Sequence, residues 1–363
     1  MKELLRERIK ELTSIIGVSG HEWDVARAVK RALEGVVDSI EVRPNGILIA
    51  AKKGARPGPR VMISAHMDEV GYIVKAVSPE GFLFFDKIGG ATEGCLPGRR
   101  VLVKGEKGVV PGIVGVRAGH LLTPEEMARP QTVRQSYVDI CVSSREEATV
   151  LGIRTGAQIV PDSPCTEMRD PDYLCTRAAD CRALCAILVE TMLKLRAEDL
   201  CGEVYAVFNI LEESTVSAAA AAVAYLKPEY SLFLDTIPCG DVPDCDYARE
   251  LPIALGKGPV IVLSQQWANC CRCVASHPRL IEALRACAEE TGAHWQEFAF
   301  NGAGYITDAV GAVFAGEGTA VATFAVPRRY SHSPVELLHL DDVVDAQKVV
   351  EAFLKREIDL DMM

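Results

Sequence analysis

Five short runs, "VMISA" (61–65), "EVYAVFNIL" (203–211), "SLFL" (231–234), "PVIVL" (259–263) and "AVATFAV" (320–326), are apolar almost without interruption. A strand with one wet face alternates apolar and polar side chains. These runs do not, so both their faces must be covered. Helical-period patterns near 181–196, 214–226, 278–292 and 341–356 fall between or after them. The sequence therefore predicts an α/β fold: a mostly parallel sheet flanked by helices, because parallel neighbours need helical crossovers. Two amphipathic helices, about 3–16 and 22–35, precede the first run. They lead into a hairpin turning at Pro44-Asn45-Gly46, since Asn-Gly accepts the positive φ of a tight turn. Between about 72 and 165 the alternation stops. There, stretches such as "GRRVLVKGEKGVVPGIVGV" are short, Val-rich and Gly-punctuated. The expected organisation is one domain made of 1–71 and 166–363, interrupted by a small β-rich domain at 72–165.

Ligands of open α/β sheets sit beyond the carboxyl ends of the strands. The first run is followed there by His66-Met67-Asp68, the second by Glu212-Glu213, the third by Asp235 and the last by "PRRYSHSP" with His332. A fifth acid, Asp180, opens the apolar helix in "AADCRALCAILVE". Singly, each has an ordinary explanation: Asp180 as a helix N-cap, "EE" as a solvated turn, the histidines as structural residues. Together they crowd like charges on one rim, and such crowding persists where a cation neutralises it. Two imidazoles and three carboxylates suit zinc, cobalt or manganese, and they are enough for two ions that share one carboxylate. Asp68, two residues beyond His66, is expected to accept from the imidazole's other N–H and to set its tautomer. Glu212, beside the ligand Glu213, is the expected general base.

Composition narrows the partners. The formal net charge is -11, which disfavours nucleic acid and anionic membrane surfaces. No apolar run approaches the ~20 residues of a membrane span. The amphipathic "MKELLRERIKEL" carries charges where a signal peptide is apolar, so a cytoplasmic location is expected. The 13 cysteines are odd in number and scattered, which fits small buried hydrophobes in a reducing compartment better than a disulfide framework. The cluster "NCCRC", with Cys270, Cys271 and Cys273, lacks the second pair that a zinc ribbon requires.

The motifs "GVSGHE", "AHMDEVG", "GRRV", "HLLTPEE", "SSREEATVLGIRTG", "LGKGP", "TDA" and "RYSHSPVE" span nearly the whole chain. In combination they resemble the cocatalytic metallo-aminopeptidases that include glutamyl and deblocking aminopeptidases and the dodecameric TET peptidases, some of which carry cellulase or endoglucanase names. The resemblance implies a zinc-exopeptidase-like fold and an inserted barrel- or PDZ-like domain for dimerisation and substrate access. It also implies two divalent ions, zinc foremost with cobalt or manganese as alternatives. By the same resemblance His66 and Asp235 hold one ion, Glu213 and His332 the other, and Asp180 bridges them. Glu212 would be the base and Asp68 the orienter of His66. The implied reaction is removal of N-terminal residues from peptides with a free N-terminus, by attack of a dimetal-bound hydroxide. The implied assembly is a homo-oligomer, with dimers building a hollow dodecamer.

Two departures stand out. The bridging motif is Asp180-Cys181-Arg182, with a thiol where the family has Asp or Asn. The Gly-x-Arg-Gly-Ala stretch after the paired glutamates is Thr215-Val216-Ser217-Ala218-Ala219. Two alternatives stay open: a dimetal deacylase or amidase of acylated amino acids, and a drifted peptide-binding homologue without turnover. Glycoside hydrolysis is disfavoured, because two carboxylates would suffice for it and leave both histidines unused. Arg182 and Arg328 could favour an acidic residue at the cleaved position, but pairing with nearby acids is the expected role of each.

Overall fold

A computed structural model describes residues 1–129, 131–267, 273–300 and 304–362. Cys270 and Cys271 lie outside the described residues. The main sheet runs Ser39–Val42, Leu48–Lys53, Cys201–Asn209, Arg56–His66, Tyr230–Pro238, Ala320–Arg328, Val260–Gln266 and Cys273–Ala275, and Gln296–Phe300 also pairs with Val260–Gln266. Each of the five apolar runs lies mostly or wholly within one of these strands. The four in the middle, from Cys201–Asn209 to Ala320–Arg328, are parallel.

The sheet as a whole is mixed, which corrects the expectation of a mostly parallel one. Leu48–Lys53 runs antiparallel to Cys201–Asn209, and Val260–Gln266 antiparallel to Ala320–Arg328. The Asn-Gly turn adds a further antiparallel pair at the edge, joining Ser39–Val42 to Leu48–Lys53 as a hairpin, because a short turn can return the chain only antiparallel.

Helix Ala179–Lys194 lies at the centre of the core. It packs against Arg56–His66 and Tyr230–Pro238 of the sheet and is covered by helices Lys2–Ser14 and Leu340–Leu354. Every residue from Ala179 to Met192 is buried, so its apolar character all round follows from being enclosed on all sides. Arg182 is fully buried within it and donates to the carbonyls of Leu12, Ile15, Gly17 and Met67. That fork ties the helix to the N-terminal segment and to the residue after strand Arg56–His66, and with Nη2 also 3.6 Å from Glu69 Oε1 its role is structural. The pattern near 214–226 forms two helices rather than one. Glu212–Thr215 and Ala218–Leu226 are separated at Val216, whose φ of 46° is left-handed.

A second, closed sheet of six strands begins at Gly71 and ends at Pro161: Gly71–Val77, Leu83–Ile88, Val138–Asp139, Gly108–Val114, Arg100–Gly105 and Gln158–Pro161. All its pairings are antiparallel. Tyr72, Val74, Phe85, Val103 and Ile159 are among the residues of its own core. The segment His66–Val70 is thus the passage from the mixed sheet into the barrel. The described cysteines are all free. Cys181, Cys185, Cys201, Cys239 and Cys287 are buried, but Cys141 and Cys273 are exposed, so burial accounts for only part of the cysteine content. No helix among the described residues is long and apolar enough to cross a membrane.

Candidate metal centre

His66 ends strand Arg56–His66, Asp235 lies within Tyr230–Pro238, Asp180 opens the central helix and Glu212-Glu213 open the short helix Glu212–Thr215. His332 follows strand Ala320–Arg328 in a left-handed conformation, φ 57°. The fold brings all of them together. Ligand atoms of His66, Asp180, Cys181 and Asp235 lie within 4.8 Å of one another, as do those of Asp180, Glu213 and His332. Asp180 belongs to both groups. Its Oδ1 is 3.1 Å from His66 Nε2 and its Oδ2 is 3.3 Å from His332 Nε2, while Glu213 Oε2 is also 3.3 Å from His332 Nε2. The Asp180–Cys181 peptide is cis. Gly90 presses its backbone against the His332 ring: a Cβ there would meet Nδ1 at 2.5 Å.

Asp68 is fully buried behind the cluster. His66 Nδ1 is 3.2 Å from the Asp68 carbonyl oxygen and 3.3 Å from its Oδ1. With Nδ1–H held there, Nε2 presents its lone pair to the cluster. The two Asp68 oxygens also accept from the backbone N–H groups of Glu212 and Glu213, each at 3.1 Å. One carboxylate therefore aims an imidazole and anchors the start of the helix that carries the paired glutamates. Glu212 faces the same centre, with Oε2 3.9 Å from His66 Nε2.

The acids crowd one another out of water. Burial pushes Glu212 well above the usual carboxylate range, opposed by His66 and reinforced by Asp235 and Asp308. Burial and then Asp180 do the same to Asp235. Burial raises Glu213 to about 8, against His332. For His332 burial works downward, but Glu213 and Asp180 outweigh it and bring the imidazole to about 9. Burial would also raise Asp180, yet Arg328 holds it well below the usual range. Burial among one another's negative charges thus disfavours the ionised form of Glu212, Glu213 and Asp235. Glu213 Oε1 is moreover buried without a hydrogen-bond partner. Both observations fit a cation bound among these residues. A buried thiol is the less fitting donor: burial pushes Cys181 well above the usual thiol range, and its Sγ donates to the Leu234 carbonyl at 3.5 Å.

Two residues that the strand-end argument did not single out hold the centre in shape. Glu336 accepts from the Asp180 N–H at 3.1 Å and the His332 N–H at 3.0 Å. Arg328 pairs with both Asp180 and Glu336. It is thus committed to the site's own acids and not free for an acidic substrate. Glu336 sits at the end of "RYSHSPVE", four residues after His332, and that spacing was the available signal. Asp308 of "TDA" accepts from Asn209 Nδ2 at 2.5 Å. Burial raises its carboxyl to about 7.

A family model described as M42 glutamyl aminopeptidase matches residues 46–349. The chain belongs to the M42 glutamyl aminopeptidase family. It is a peptide hydrolase whose relatives carry aminopeptidase names. A protein of Acetivibrio thermocellus with such a name is 30% identical over 96% of this chain and 98% of its own length. The lysyl aminopeptidase of Pyrococcus furiosus is 29% identical over 96% of each chain, and the glutamyl aminopeptidase of Lactococcus lactis 25% identical over 96% of each. Among solved structures, an aminopeptidase from Desulfurococcus kamchatkensis superposes with a TM-score of 0.91 at 29% identity, covering 98% of this M42 chain and 96% of its own. The TET1 peptidase of Pyrococcus horikoshii, which can assemble into a tetrahedron or a large octahedral shell, gives 0.82 at 28% identity, covering 96% and 99%.

Proposed function

We propose that this M42 chain is a metal-dependent aminopeptidase that removes the N-terminal residue of peptides, with Glu212 as general base. The observation that carries the reading is the pair of ligand groups sharing Asp180, with the Glu212 carboxylate facing the same centre. His66 and Asp235 would hold one divalent ion, Glu213 and His332 the other, and Asp180 both. Zinc is the first candidate, and cobalt or manganese suits the same donors. When bound, the ions supply Lewis acidity toward the scissile carbonyl and make the attacking water more acidic.

The chain's own residues do the rest. Glu212 takes a proton from the attacking water and returns it to the leaving amine. Burial raises its proton affinity, which favours taking the proton from water. Asp68 holds the His66 tautomer and the helix start that aims Glu212 and Glu213. Arg328 and Glu336 brace Asp180 and the His332 loop. We assign residues 72–165, which hold all of the barrel but its first residue, to dimerisation and substrate access, and 1–71 with 166–363 to catalysis. The assembly properties of the TET1 relative support a homo-oligomer. The expected partners are peptides, not nucleic acid or membrane, and the expected location is the cytoplasm.

The test is a panel of aminoacyl anilides with free and with acetylated amines, using metal-loaded, chelated and Glu212→Gln protein. Turnover confined to free amines is expected, with loss on chelation. Glu212→Gln should lower kcat by about 10²–10⁴-fold, the usual contribution of a positioned base. Turnover of acetylated substrates alone would reassign the protein as a deacylase.

A further inference from the structure

The cleft beside the metal centre measures about 680 Å³. Beside the ligands it is lined by the apolar or aromatic side chains of Val216, Pro238, Trp267, Phe300, Tyr305 and Ile306. Phe300 and Tyr305 are buried and their rings are 5.2 Å apart. The phenol is used up locally, since its O–H donates to the Thr236 carbonyl at 3.0 Å. Val216 enters the wall from the left-handed turn between the two short helices, where it is 9% exposed. Trp267 is half exposed at the rim.

Among the described residues lining this cleft, every charged side chain belongs to the metal centre or, as Arg328, is paired with it. A carboxylate entering beside these side chains would find no described cationic side chain free to receive it. An apolar side chain would exchange water for an aromatic wall. The family does not decide this point, because the relatives named lysyl and glutamyl aminopeptidase prefer opposite charges by their names.

Resting on the aminopeptidase reading, we infer that this cleft receives the side chain of the cleaved residue and selects large apolar ones, leucine and phenylalanine above alanine and far above glutamate. A pocket gains tenfold or more for each methylene it buries, and an unpaired buried carboxylate is strongly disfavoured.

Two measurements test this. For metal-loaded protein, kcat/KM for leucyl and phenylalanyl anilides should exceed that for alanyl anilide by at least about tenfold and that for glutamyl anilide by at least about 100-fold. For metal-loaded Glu212→Gln protein, tryptophan fluorescence titrated with leucinamide, phenylalaninamide, alaninamide and glutamic acid α-amide should give the same order of Kd. Trp267→Ala should lower kcat/KM for leucyl and phenylalanyl anilides about tenfold more than for alanyl anilide. Ile306→Arg should raise the glutamyl-to-leucyl ratio at least about tenfold. Equal Kd values, tighter binding of the glutamic acid amide, or a uniform loss in Trp267→Ala would overturn the pocket assignment. Apolar-selective binding without turnover of any free-amine substrate would support the pocket while refuting the aminopeptidase reading.

Discussion

Replacing Asp68 by Asn changes one atom's hydrogen-bonding character at a position where both oxygens are in use. Oδ1 accepts from the Glu212 N–H and lies 3.3 Å from His66 Nδ1, and Oδ2 accepts from the Glu213 N–H. An amide offers one acceptor and one donor group. Its NH2 must face either the Glu213 N–H or the Glu212 N–H together with the imidazole N–H. Either way at least one charge-assisted bond becomes a donor–donor contact inside a buried site, a loss of about 1.5–3 kcal/mol. The Asp68 carbonyl at 3.2 Å still accepts from Nδ1, so the imidazole keeps part of its support and the burden falls on the paired glutamates. Converted at 1.4 kcal/mol per decade, the loss is about 10–150-fold, in line with the 10–100-fold typical of residues that orient metal ligands. The assays are kcat/KM, metal affinity by competition with a fluorescent chelator, and thermal unfolding to confirm that the variant is folded. A folded Asp68→Asn protein with wild-type metal affinity and wild-type kcat/KM would refute the assignment of Asp68 as the anchor of both elements.

Other outcomes follow from the same geometry. Arg328→Ala removes the guanidinium that pairs with both Asp180 and Glu336 inside the buried site, so metal-free protein should lose about 3–5 kcal/mol in denaturant unfolding; an unchanged midpoint would contradict the bracing role. Zinc at 100 times its Kd should stabilise the folded protein by about 2.7 kcal/mol per site, and chelation should reverse this. A thermal scan that does not respond to metal would count against the site. Asp342 accepts from the N–H groups of Gly256 and Gly258, yet burial, the larger influence, pushes it up to about 7. The unfolded chain releases this proton near 4, so between about pH 4 and 7 the native state binds more protons and stability falls as pH rises. Wild type should therefore lose stability relative to Asp342→Asn between pH 5 and 7.5, and parallel pH profiles in denaturant unfolding would exclude it.

Local sequence was enough for whatever local chemistry decides. Apolar runs without alternation had to become strands covered on both faces, and all five did. Asn45-Gly46 had to turn the chain tightly. Residues beyond four of the five runs were readable as rim residues because open α/β sheets present that end to ligands. Three things were not legible. The antiparallel edges arise from pairing choices among distant strands, which a continuous apolar run does not encode. The break at Val216 depends on a left-handed residue that carries no glycine to announce it. Glu336 joins the centre only because a short antiparallel strand brings it to Asp180, 156 residues earlier in the chain. Residue type and spacing therefore determined which groups could serve a metal. Tertiary structure decided how close Asp180 comes to both ligand groups, which acids Arg328 pairs with, and that the rest of the cleft lining is largely apolar and partly aromatic. Those are distances between segments far apart in sequence, set by how the sheet and its central helix pack.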